Sequence, residues 1–92
     1  MKYGYTDNKE AVLKRLKRIE GQVRGVAKMV DSDKYCIDIL TQINAAQAAL
    51  DKVAVELLRD HANHCVMHAK DEEGRQKKTE ELVDAVGRML SR

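Results

Sequence analysis

The chain has no proline, no tryptophan and no phenylalanine, and its only aromatic residues are three tyrosines. Without proline, nothing of that kind breaks a helix from within. Without large aromatics, the core of a 92-residue chain is thin, because those side chains bury the most area each. Chains of this size gain stability from oligomerisation, a metal or disulfides. An oligomer is therefore expected. With two cysteines, the chain is no disulfide-dense scaffold. No apolar run approaches the roughly 20 residues of a membrane helix, which argues against a membrane partner. Met1-Lys2-Tyr3-Gly4-Tyr5 holds no apolar stretch of the secretory kind. A reducing cytoplasm is expected, where paired cysteines are more often ligands or redox sensors than structural bridges.

What is present is a charged, moderately apolar chain, with 35% charged and 43% hydrophobic residues. The length suits one domain, residues 1–92. The net charge of +2 conceals an asymmetry. The first 30 residues carry eight Lys and Arg against three acids, and the rest of the chain is net acidic. A basic N-terminal third suits a polyanionic partner, although the same pattern also describes an ordinary solvated helix face.

Apolar spacing predicts three helices, at about residues 7–30, 34–68 and 75–90, with the middle one long. In the first, Val12, Leu16, Ile19, Val23, Val26 and Val30 follow a 4-3-4-3-4 rhythm, the seam of a coiled coil. Asp7 and Glu10 are placed for a capping box, and Gly21 and Gly25 would allow close helix contact. Asp31-Ser32-Asp33 reads as a turn and a new N-cap. In the second helix Cys36, Ile43, Leu50 and Leu57 recur every seven residues. A seam that long cannot be covered by the first helix alone, so a partner subunit must cover the rest. Asp71-Glu72-Glu73-Gly74 interrupts the pattern before a short third helix. The expected fold is all-α: three helices, the middle one long, assembled into a bundle.

The three histidines, His61, His64 and His68, lie within eight residues, with Cys65 among them. His61 and Cys65 are four apart, so both can reach one metal from one helical face. Cys36 lies 25 residues before His61. That is roughly 37 Å along a continuous helix, too far for one ion. An antiparallel copy of the same helix removes the difficulty, since Cys36 of one chain then meets His61 and Cys65 of the other. The two-fold axis would pass near Ala45-Ala46-Gln47-Ala48-Ala49, where small side chains permit close approach. Two thiolates and one imidazole suit Cu(I), while His64 or His68 as a fourth donor would suit Zn(II). A nucleophilic Cys–His enzyme would need an oxyanion hole and a cleft that a helical chain without Gly-rich loops hardly offers, and no small-molecule substrate is expected. A regulatory disulfide or persulfide between Cys36 and Cys65 uses the same geometry but leaves His61 unexplained.

Leu16-Lys17-Arg18-Ile19-Glu20-Gly21-Gln22-Val23-Arg24-Gly25, Tyr35-Cys36 with Asp38 and Ile39, Gln42-Ile43, His61-x-x-x-Cys65 and Glu81-Leu82-x-Asp84-Ala85-Val86 together resemble the copper-sensing transcriptional repressors of the CsoR family. Nearly the whole chain takes part. The resemblance implies a bacterial, cytoplasmic repressor that binds double-stranded operator DNA in the apo form and leaves it when Cu(I) binds. It implies one Cu(I) per protomer, held between two chains by Cys36, His61 and Cys65, with Tyr35 and Glu81 behind them. It also implies an antiparallel four-helix-bundle dimer that pairs into a dimer of dimers, hence a homodimer or homotetramer, and a DNA role for Lys52. Lys14, Arg15 and Arg18, outward on the first helix, are the other candidate DNA contacts. His64 and His68 fall outside the copper set. Related nickel and cobalt sensors carry His where Cys65 stands, and persulfide sensors lack the counterpart of His61. The competing readings are a thiol-, Zn(II)- or Ni(II)-responsive repressor, and a copper chaperone or buffer that never binds DNA.

Overall fold

The computed structural model describes residues 5–91, and within them every side chain except those of Asp7, Cys65 and Val66. A single 3-10 turn, Thr6–Asn8, leads into α1, Lys9–Asp31. α2 runs Cys36–Asp60, continues into a π-helical turn, His61–Val66, and is followed by α3, Glu72–Leu90. There is no strand among the described residues. The three helices match the expected all-α fold, and their boundaries shift for identifiable reasons.

α1 ends in a left-handed cap. Asp33 has φ 56°. The Lys34 N–H donates to the Met29 carbonyl at 3.0 Å and the Asp33 N–H to the Val30 carbonyl at 3.1 Å. These are the paired bonds of a Schellman motif, which satisfies the last carbonyls of the helix. Asp33 was expected to cap the second helix. It closes the first instead, and α2 starts later than expected, at Cys36. The Tyr35 carbonyl accepts the Ile39 N–H at 3.2 Å.

α2 also stops being α-helical sooner than its apolar rhythm suggested. The Met67 N–H reaches back five residues to the Ala62 carbonyl at 3.2 Å, the bond that defines a π turn. α3, by contrast, starts earlier than expected. Asp71 is its N-cap, and its carboxylate accepts the Gly74 N–H at 2.7 Å. Glu72 and Glu73 sit in the first turn, where the helix dipole favours negative charge. What read as a break is a helix start. The capping box expected at the head of α1 involves the Asp7 side chain, outside the described residues; Asn8 precedes the helix with no side-chain cap bond.

The described residues divide into two compact units, 8–54 and 55–91, the latter joined by residues 5–7. The four buried apolar side chains among the described residues, Val12, Ile19, Ala46 and Val53, belong to the first unit. They follow a seven-residue rhythm within each helix. On α1 the expected seam splits in two. Val12 and Ile19 are 7% and 5% exposed, whereas Leu16, Val23 and Val30 are 36%, 54% and 58% exposed. On α2 the covered line passes through Ala46 and Val53, while Leu40 and Leu50 stay exposed. Of the two glycines expected to allow close contact, a Cβ on Gly25 would meet nothing. In the second unit α3 packs against the π turn. No described helix is long and apolar enough to cross a membrane.

The Asp33 cap generates a test. A left-handed conformation costs a non-glycine residue roughly 1 kcal/mol, and glycine is free of that cost. Asp33→Gly is therefore expected to stabilise the fold by about 0.5–1 kcal/mol in urea unfolding at fixed protein concentration. A loss of stability would show that the Asp side chain compensates for the strain.

Candidate metal centre

The π turn carries the chemistry-bearing residues of the second unit. Inserting one residue into a helical turn re-aims the side chains on it, and such turns recur at functional sites. His61 opens the turn and Cys65 lies within it. The Cys65 side chain is outside the described residues.

The half-buried imidazole of His61 is tethered. Its Nε2 lies 3.1 Å from the backbone carbonyl of Lys78 on α3. A carbonyl only accepts, so Nε2 is the protonated nitrogen and donates. Nδ1 is then left with a lone pair, the form in which imidazole binds a metal. A carbonyl behind a metal-bound histidine is a common way to orient the ring. The Lys78 ammonium lies 3.6 Å from the carboxylate of Glu81, with the two side chains 40% and 47% exposed. Glu81 is thus paired to the side chain of the residue whose main-chain carbonyl holds His61. The part played by the Lys78 carbonyl was not legible in the sequence, because every residue has a carbonyl and only packing decides which one meets the ring.

Cys36 is a free, exposed thiol at the first residue of α2. Tyr35, just before it, is 66% exposed. Cys36 and His61 therefore flank α2 at opposite ends. Among the described residues, no three of His, Cys, Asp and Glu gather into a metal cluster. The donor chemistry nevertheless suits a soft ion: an accessible thiol at one end of the helix, and an oriented imidazole at the other.

The candidate DNA residues all lie in the unit Asn8–Ala54. Lys14, Arg15 and Arg18 are exposed on α1, as is Lys52 on α2. Arg24, also on the basic helix, is partly spoken for. Its guanidinium donates to Glu20 at 2.7 Å one turn earlier, in a pair that is well exposed.

Among the described residues the fold is all-helical, with a candidate soft-metal ligand at each end of one long helix. The sequence profile of metal-sensitive transcriptional repressors matches residues 8–88, and the chain belongs to that family, whose members are sensors and not enzymes. The copper-sensing transcriptional repressor RicR of Mycobacterium tuberculosis is 56% identical over 72 residues, which span 78% of this chain and 75% of RicR. The crystal structure of the copper-sensing repressor CsoR with Cu(I) from Geobacillus thermodenitrificans aligns with a TM-score of 0.85 at 52% identity, covering 92% of this chain and 88% of that one. The nickel-responsive transcriptional regulator InrS aligns with a TM-score of 0.73 at 39% identity, covering 86% and 89%. The likeness to the CsoR family read from the sequence therefore holds.

Two outcomes follow from the tether on His61. Lys78→Met keeps the main-chain acceptor, so nitrogen-detected NMR should still find the His61 proton on Nε2. The same variant should change stability by less than about 1 kcal/mol, because a half-exposed Lys–Glu pair contributes little. A proton on Nδ1 in the unaltered protein would refute the assignment.

Proposed function

We propose that this chain is a Cu(I)-responsive transcriptional repressor that binds operator DNA when metal-free and leaves it when Cu(I) binds. The observation that carries the reading is the ring of His61, held through Nε2 by the Lys78 carbonyl so that Nδ1 is the nitrogen left for a metal. The names of RicR and CsoR support copper as that metal.

Cys36 of one chain and His61 and Cys65 of an antiparallel neighbour form the ligand set, one per protomer. A 25-residue α-helix is about 37 Å long, so one chain cannot supply Cys36 and His61 to the same ion. The exposed line Leu16, Val23 and Val30, with Leu40 and Leu50, offers the apolar surface a neighbour would cover. Ala45 and Ala48 are exposed near the middle of α2, so a second helix can approach closely there. Copper, when bound, supplies a bond between two chains through soft thiolate and imidazole donors. The chain's residues do the rest. Glu81 and Tyr35 flank the donors. Lys14, Arg15, Arg18 and Lys52 face phosphates, and their affinity falls with salt. Two dimers combine into a tetramer that presents enough positive charge to a duplex. The metal-tied arrangement fits DNA less well, and the coupling is reciprocal, so DNA also weakens copper binding. The setting is the bacterial cytoplasm.

Gel shift and X-ray absorption test this together. Apo protein should bind DNA from its own promoter, and Cu(I) should lower that affinity by on the order of five- to 150-fold. Absorption of the Cu(I) form should report two sulfurs and one nitrogen. Cys36→Ser and His61→Ala should each bind DNA as apo protein and ignore Cu(I). A copper response that survives His61→Ala would move the reading to thiol sensing. Apo protein that fails to bind any duplex at low salt would move it to a copper chaperone or buffer. Arg15→Ala and Arg18→Ala should each reduce the slope of log affinity against log salt by about one.

A further inference from the structure

His64 and His68 take no part in the copper set. His64 stands on the π turn and His68 just after it, both exposed. Their ring centroids lie 5.8 Å apart, with the ring planes tilted by 50°. That separation can be compared with what a shared ion requires. A Zn–N bond of about 2.0–2.1 Å, with the ring centre roughly 1.2 Å beyond the nitrogen, puts each centroid about 3.2 Å from the ion. A tetrahedral angle then sets the centroids roughly 5.3 Å apart. The two rings are within about half an ångström of that distance before any ion is present, a difference that small rotations about the side-chain bonds can close.

We infer that His64 and His68 form a second metal site, a two-imidazole chelate for a divalent first-row cation such as Zn(II) or Ni(II). The donor chemistry separates it from the copper set. Imidazole alone suits Zn(II), Ni(II) and Cu(II), whereas Cu(I) prefers sulfur. No third His, Cys, Asp or Glu among the described residues joins the pair, so water completes the coordination sphere and the site is open. An ion held there ties residue 64 to residue 68 across the end of the π turn. It would thus stabilise the one segment of the long helix that departs from α geometry, by linkage of binding to the ordered conformation. The inference stands on the two rings alone and does not depend on the copper reading.

The test uses the full chain with both thiols removed, Cys36→Ser with Cys65→Ser, so that no sulfur competes for the ion. Zn(II) and Ni(II) are titrated into it by calorimetry. Binding of one ion per chain is expected. Adding His64→Ala or His68→Ala should weaken it by at least about tenfold, since each removes half of the protein ligands. Both rings are exposed, so these variants should keep their helical circular dichroism, and that is recorded alongside. No binding to the thiol-free protein would overturn the site. So would binding that survives both His→Ala changes, or binding lost only with His61→Ala. If copper-dependent DNA release fails while this titration succeeds, the proposed function falls and the second site stands. The reverse result leaves the repressor without its auxiliary ion.

Discussion

The geometry of this chain turns on the stiffness of one α-helix. Rise per residue is fixed by the backbone hydrogen bonds, so α2 holds its two ends about 37 Å apart whatever the side chains prefer. Cys36 opens that helix and His61 follows its last residue. A soft-metal site that uses both must draw them from two molecules. In the proposed ligand set, the distance imposed by a hydrogen-bonded rod becomes a requirement for assembly, and metal binding would act on the contact between subunits. A ligand that bridges subunits shifts the balance of quaternary states by its differential affinity for them.

The distribution of apolar side chains agrees with that requirement. The described residues bury four apolar side chains, and no large side chain is fully buried. Such a core is small against the conformational entropy lost on folding. Yet the helices carry two apolar lines, each with a seven-residue period. One is covered within the chain, through Val12 and Ile19 on α1 and Ala46 and Val53 on α2. The other, through Leu16, Val23 and Val30, is left open. A heptad seam half used in this way is what a helix shows when it has both an internal neighbour and room for an external one.

The end of the long helix is where regular geometry gives way. The π turn His61–Val66 packs against α3, and α3 returns the Lys78 carbonyl to the ring of His61. That contact does for the imidazole what a carboxylate does elsewhere: it selects the tautomer and fixes the ring. The Asp71 cap and the acidic first turn start α3, the helix that meets the π turn. The Asp71 cap that starts α3 and the Lys78 carbonyl that holds the His61 ring belong to the same helix.

The all-α class, the three helices and the positions of Cys36, His61 and the basic residues of α1 were legible in the sequence because each rests on spacing along one chain. Periodicity of 3.6 residues, capping residues and the four-residue separation of His61 from Cys65 need no tertiary information. The family could also be read there, from motifs spread over nearly the whole length. Three things were decided only by folding. Asp33 closes α1 rather than capping α2, because the free carbonyls behind it needed a left-handed residue more than the next helix needed a cap. The middle helix widens to a π turn at His61, which no single residue announces. The partner of the His61 ring is a main-chain carbonyl, and which of many identical carbonyls it is depends on how α3 packs. Side-chain spacing is written in the chain, while the meeting of main-chain groups from distant segments exists only once the chain has folded.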